Sequence, residues 1–411
     1  MIRLGRVQSA MSFLALAVIG LMSGAAADTD TLRQGLNAGV AHGYPGFAML
    51  VHYPDGRTLT AAEGYANLEM RRKLRTDDAF HLASVTKVFT AVATLRLVDQ
   101  GKLSLNDRII DVLGPDVVGR VPFAARITVA QLLDHSSGIH PINNELPYLN
   151  TLLGPQANPT VVWAPQQFVE LASEGRAKPE GEPGTGHHYS DTNYILLGMI
   201  VEKIAGRPLR DQVRDTVFRP LHMTDSYYYS RRLGMGATAH GRTTQGYLLP
   251  TDEIKSFIAI NPMFRPAGRF LNTTLAAERI DAAAGIVSTL PDLLKFAEAL
   301  FGGRLLSPES QKFLMAAGDG MDKVDIGEHR TWAMQAIRQP YGTLVYKEGD
   351  GPGGVNTLMA FQPATGAIYL GFTNSFGFFD EVDFMMKDVI GKLASRIRAS
   401  NSPSALGLKT T

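Results

Sequence analysis

The 411-residue sequence contains no cysteine. That absence removes disulfides, thiolate-bound zinc, iron–sulfur clusters, a thiol nucleophile and a lipid-modified N-terminal cysteine together. Net charge is nearly absent too. Lys and Arg total 40 against 39 Asp and Glu, which leaves no electrostatic footprint for nucleic acid. Tryptophan is scarce, with only Trp163 and Trp332. Long apolar runs are also missing. Met11 to Met22 is uncharged but too short to anchor stably in a bilayer. It follows Arg3 and Arg6 and precedes Ala25-Ala26-Ala27, the small residues of a cleavage site. The pattern predicts a signal peptide over 1–27 and a periplasmic or secreted chain from Asp28, an uncleaved anchor being the alternative.

What is present is ordinary globular material, 45% hydrophobic and 19% charged. Phe47 to Glu69 reads as a hairpin around Pro54-Asp55-Gly56. Ser84 to Gln100 is apolar nearly all round and ends at Gly101, the pattern of a buried central helix. Helical patterns then dominate from Ile127 to about Asp281 and continue at Pro291 to Leu300. Strands return over Trp332–Ile337, Thr343–Tyr346, Thr357–Phe361 and Ala367–Thr373, and a helix follows over Asp380–Arg398. This order predicts an α+β fold in which both ends of the chain build one antiparallel sheet. Residues 28–79 and 281–399 form the sheet-plus-helix domain, 80–280 an inserted helical domain, and 400–411 a flexible tail. The part played by 241–280 is left open.

Ser84-Val85-Thr86-Lys87 is the chain's single S-x-x-K. At a helix start, residues i and i+3 share a face, so Lys87 Nζ reaches Ser84 Oγ. The surrounding helix is apolar, and desolvation disfavours a lysine's charged form, which makes Lys87 a candidate proton acceptor for the hydroxyl. The Ser84 N–H, free at the helix start, suits a developing oxyanion. Alone the motif is weak, because any helix with an N-terminal serine can show it.

Tyr189-Ser190-Asp191 and Lys347-Glu348-Gly349 follow in order. With them the sequence resembles the serine β-lactamase and penicillin-binding superfamily, most closely the class C branch that includes DD-carboxypeptidases, D-aminopeptidases and family VIII esterases. The segments around Ser84, 127–139, 183–209, 219–228 and 281–303 carry the resemblance, and so does the terminal strand set. It implies a β-lactamase/transpeptidase-like fold and acyl transfer to Ser84. Lys87 and Tyr189 would move protons, the N–H groups of Ser84 and Asp350 would hold the oxyanion, and Asp191, Lys347, Glu348 and Gly349 would bind substrate. The substrate is a small ester, amide or peptide, with β-lactams and peptidoglycan peptides as alternatives. No cofactor, metal or nucleic acid is implied. A non-catalytic peptide-binding protein on the same scaffold is the reading from another class.

Two departures matter. Asp191 stands where the family usually has Asn, and an ionised carboxylate can only accept hydrogen bonds. Its charge would favour the charged forms of Lys87 and Lys347. Glu348 replaces a hydroxyl residue and would repel a substrate carboxylate. Tyr189, flanked by two lysines, is expected to have its pKa drawn down. Gly351-Pro352-Gly353 is an alternative register for the third motif. Gly349, Gly351 and Gly354 also spell G-x-G-x-x-G, but a strand follows them and not a helix. His187-His188 are adjacent and suit a loop better than a metal site. His135 reads as structural, and Trp163 and Trp332 as core residues.

Overall fold

The computed structural model describes residues 27–142, 146–155, 158, 163–173, 175–229, 242–257, 259–276, 281–315, 328–330, 334–378 and 381–400. The expected signal peptide, except its last residue, lies outside them, as do Trp332 and the tail beyond Ser400.

Short strands buried on both faces form the centre of the main sheet. Its strands are β1 (Gly46–His52), β2 (Thr58–Asn67), β3 (Arg72–Lys73), β4 (Glu328–Arg330), β5 (Gln335–Gln339), β6 (Gly342–Gly351), β7 (Val355–Gln362) and β8 (Ala367–Thr373). They run in the order β4-β5-β6-β7-β8-β1-β2-β3, every pair antiparallel. Strand β1 shows why both faces must be covered. Phe47, Met49 and Val51 enter one apolar cluster, whereas Ala48 and Leu50 enter another. The first face is covered by a helix over 27–42 (α1) and by the C-terminal helical run over 381–400, through Leu32, Leu36, Met385, Val389 and Ile390. Over the second face lie α2 (Thr86–Asp99), with α3 (Asp191–Ala205) packed on it, and α4 (Leu290–Phe301), which packs directly on β8 and β1.

Helix α2 is buried from Thr86 through Leu95. Phe89 stacks on Phe296 of α4 at 3.7 Å between ring centroids, and Thr90 Oγ1 donates to Ala282 O at 2.7 Å. Gly101, at φ 66°, ends the helix in the left-handed region that glycine adopts without strain. The expected run of helices holds through 209–218, but beyond it only Asp252–Phe257 and the single turns Thr274–Ala276 and Asp281–Ala284 are helical among the described residues up to Ala284. Tyr227–Tyr228, Tyr247–Leu248, Pro266–Ala267 and Phe270–Asn272 are short strands in two small sheets, which also recruit Phe80–His81, Ile286–Ser288 and Ser375–Phe376. Two- and three-residue strands carry no readable period, so these sheets arise from tertiary pairing.

Candidate active site

The cleft lies where β6 passes the N-terminus of α2. Ser84 sits in a tight turn, Ala83–Val85, between Phe80–His81 and α2. Ala83 holds φ at 43°, an unfavourable value for a residue with a side chain. The turn is fixed from both sides, with Leu82 N donating to Ile286 O at 2.8 Å and Ile286 N donating to Thr86 Oγ1 at 3.1 Å. Gly349 presses against it. A Cβ at that position would lie 2.8 Å from Ser84 N, 3.0 Å from Val85 N and closer still to Leu82 O. Only glycine lets the strand come so near.

Ser84 is half-buried and its Oγ meets two partners. Lys87 Nζ donates to it at 2.8 Å and Tyr189 Oη at 2.8 Å. Lys87 is fully buried. It also donates to Ala283 O at 3.2 Å and forms an ion pair with Asp191 Oδ1 at 2.6 Å. Burial alone would lower the Lys87 pKa, but the charge of Asp191, with Tyr189 and the Asp191 contact, outweighs it and holds the pKa above its ordinary value. Of the two opposed expectations for Lys87, desolvation to a neutral amine and retention of charge beside Asp191, the second prevails.

Tyr189 departs from expectation. Burial pushes its phenol up, Lys87 works against that, and Asp191 adds to it, so the net shift is upward and not downward. Its ring lies between the two lysines, with Lys87 Nζ 5.0 Å and Lys347 Nζ 4.7 Å from the centroid.

The loop before α3 is anchored by a network that sequence reasoning reached only at His135. Ser190 N donates to His135 Nδ1 at 3.1 Å, His188 N donates to His135 O at 2.7 Å, Ser137 Oγ donates to Asn193 Oδ1 at 2.6 Å and Tyr194 Oη donates to Leu133 O at 3.1 Å. Burial, then Lys347 and Lys87, hold His135 well below its ordinary pKa, so it is a neutral scaffold residue. Asn193 and Tyr194, one helical turn into an apolar run, left no local signal apart from their polarity. Trp163 packs with Tyr148 and Phe168. His187 and His188 line the same loop half-buried.

On β6, Lys347 and Gly349 face α2, and Lys347 is 4% exposed. Among the described residues it has no ion pair or hydrogen bond. Burial and the nearby Lys87 charge lower its pKa to about 8. Glu348 lies between them, so strand alternation sends its side chain to the opposite face. The expected repulsion of a substrate carboxylate by Glu348 therefore loses its geometric basis. Its charge instead favours the Lys347 ammonium. Gly351-Pro352-Gly353 forms the turn from β6 to β7, closed by Gly354 N donating to Gly351 O at 3.0 Å. Among the described residues β5 covers β6 only up to Tyr346. Because Gly351 turns its carbonyl inward, alternation directs the N–H and C=O groups of Glu348 and Asp350 to the open edge beside Ser84.

A serine at a helix start, a tyrosine shared with two lysines and a strand edge left open among the described residues form a cleft whose groups suit acyl transfer. Similarity to known proteins gives the family. A model of the beta-lactamase family matches residues 29–388. Penicillin-binding protein 4 of Amycolatopsis lactamdurans is 26% identical over 370 residues, covering 86% of this chain and 87% of that one. Penicillin-binding protein 4* of Bacillus subtilis (strain 168) is 26% identical over 305 residues, 72% of this chain but only 60% of its own length. A D-amino acid amidase from Ochrobactrum anthropi SV3, solved with L-phenylalanine, superposes with a TM-score of 0.76 at 25% identity, covering 91% of this chain and 99% of that one. The chain therefore belongs to the beta-lactamase family and is a serine hydrolase of the β-lactamase and penicillin-binding superfamily.

Proposed function

We propose that this chain is an exported hydrolase that cleaves small amides, peptides or esters through an acyl-enzyme on Ser84, with D-amino-acid amides and peptides as the leading substrates. One observation carries the reading: Ser84 Oγ lies 2.8 Å from both Lys87 Nζ and Tyr189 Oη. Export rests on the basic, apolar and small-residue pattern of 1–27. No helix among the described residues is long and apolar enough to cross a membrane.

The substrate lies extended along the open edge of β6, where backbone groups of Glu348 and Asp350 pair with it as an added strand. The N–H groups of Ser84 and Asp350 stabilise the tetrahedral oxyanion. Tyr189 relays protons between Ser84, the leaving group and later the hydrolytic water. A phenol whose pKa is raised by burial suits a relay that gains one proton as it gives up another. Lys347, a buried cation with no ion pair or hydrogen bond among the described residues, receives a carbonyl or carboxylate of the substrate. That same residue favours a second reading, hydrolysis of β-lactams or carboxylate-ended peptidoglycan peptides. The D-amino acid amidase similarity weighs toward the first.

A turnover screen separates the two. D- and L-amino-acid amides, p-nitrophenyl esters, D-Ala-D-Ala peptides and nitrocefin are compared at equal concentration. The amide and ester reading expects the first groups to be turned over fastest, with D preferred over L. Faster turnover of nitrocefin or the D-Ala-D-Ala peptide selects the second reading. Absence of turnover throughout would favour a binding protein.

A further inference from the structure

Three oxygens surround the Lys87 amine. Its Nζ lies 2.8 Å from Ser84 Oγ, 3.2 Å from Ala283 O and 2.6 Å from Asp191 Oδ1. An ammonium suits this setting, with two of the oxygens accepting its hydrogen bonds and the third supplying a counter-charge. A neutral amine could turn its lone pair only toward the Ser84 hydroxyl, since neither a carbonyl nor a carboxylate can donate, and it would leave the buried Asp191 carboxylate without a counter-charge. Asp191 is the contact that decides the charge. It is the first residue of α3, where the helix dipole favours a carboxylate, and its side chain is 4% exposed. Its approach is off the hydrogen-bond axis, so it acts chiefly as a counter-charge.

The other titratable groups around Lys87 do not replace it. Tyr189 and Tyr194 present neutral rings at 5.0 and 5.9 Å, and His135 is neutral. Lys347 on β6 repels, and the Asp350 carboxyl on the same strand, pushed up by burial, acts on Lys347 more than on Lys87. Asn at position 191, which the family resemblance leads one to expect, would have nearly the same shape without the charge.

We propose that Asp191 is a positioning residue that keeps Lys87 a hydrogen-bond-donating ammonium throughout acylation, so that the Ser84 proton leaves through Tyr189 and not through Lys87. The proposal rests on the reading of Ser84 as nucleophile. As Ser84 Oγ bonds to the carbonyl carbon, its proton passes to Tyr189 Oη. The phenolic proton of Tyr189 passes to the leaving nitrogen or oxygen as its bond to the carbonyl carbon breaks. Lys87 and Asp191 start and finish as ammonium and carboxylate, and the hydrogen bond from Lys87 stabilises the charge developing on Ser84 Oγ.

The test is Asp191→Asn in the full chain, with the second-order rate of Ser84 acylation by an uncharged fluorophosphonate measured from pH 6 to 10.5. Wild type should hold its rate to about pH 10. Without the counter-charge, burial acts unopposed on Lys87, and below about pH 8 the Lys347 charge adds to it. The alkaline limb of the variant should then move down by about one pH unit or more, with acylation at least about tenfold slower at pH 9.5. A variant that is faster than wild type near pH 7 to 8 would overturn the proposal, because Lys87 would then be the base and Asp191 a brake on it. An unmoved profile would overturn it as well. If the Asn variant does not fold, two measurements stand in for it. Asp191→Glu, which keeps the charge, should preserve the wild-type limb. Wild-type acylation that climbs about tenfold per pH unit up to pH 10 would mark a lysine that must first lose its proton, and would overturn the proposal. Wild type that takes no label at Ser84 at any pH overturns the nucleophile reading, and this inference with it.

Discussion

Gly349→Ala places one methyl group where β6 meets the nucleophile's turn. The new Cβ would lie 2.8 Å from Ser84 N, 3.0 Å from Val85 N and nearer still to Leu82 O, all backbone atoms that cannot swing aside. An ordinary carbon–oxygen contact is about 3.3 Å or more, so the strand or the turn must retreat by roughly 1 Å. A displacement of that size at a reacting group costs on the order of 10²-fold in rate. Overpacking of this kind costs about 1–3 kcal/mol of stability. The two effects are read separately, as the fluorophosphonate acylation rate of Ser84 and as the thermal midpoint. Gly354→Ala is the control. It also crowds backbone, at Tyr247 N and Gly246 and at φ 75°, but in the β6–β7 turn. It should therefore lower the midpoint more than it lowers the acylation rate per folded molecule. If Gly349→Ala acylates within about threefold of wild type, the strand does not frame the nucleophile, and the register at Gly351-Pro352-Gly353 gains the stronger claim.

Ser84→Ala should abolish turnover and shift stability by no more than about 1 kcal/mol, since Lys87 keeps Ala283 O and Asp191; residual turnover above a tenth of wild type would contradict it. Tyr189→Phe should keep the fold and lower kcat by about 10²-fold or more, as loss of a proton relay does, and an unchanged rate would make Tyr189 a packing residue. Lys347→Met should raise the thermal midpoint at pH 7 and weaken binding of carboxylate substrates. The sign follows from a folded-state pKa lowered to about 8 from 10.5. Between those values the unfolded chain holds a proton that the folded chain lacks, so wild-type stability rises with pH across that window. Below it the buried charge opposes folding, and the variant's advantage should fade toward pH 10. A variant less stable than wild type at pH 7 would contradict this.

The local part of the site was legible in sequence because short spacings encode it. Ser84 and Lys87 share a helix face by their separation alone, and the apolar surroundings of α2 announced the burial of Lys87. The large strands of the main sheet were legible for a similar reason: Ala367–Thr373 is a short apolar run set off by turn residues. What escaped depended on which charges and faces meet across the fold. No local pattern says that Asp191 ends 2.6 Å from Lys87 or that burial outweighs two lysines at Tyr189. The orientation of Glu348 follows from strand parity once Gly349 is known to face α2. The short strands at 227–228, 247–248 and 270–272 exist because the segments Ser375–Phe376 and Ile286–Ser288 offer them partners, not because of their own composition.

The claim that Ser84 carries the acyl group is tested most directly by mass. The full chain is treated with a fluorophosphonate, weighed intact, digested, and the modified peptide sequenced, with Ser84→Ala treated alongside. The account predicts a single adduct on the peptide that contains Ser84 and none on the variant. An adduct on another residue, or equal labelling of the Ser84→Ala chain, would contradict it.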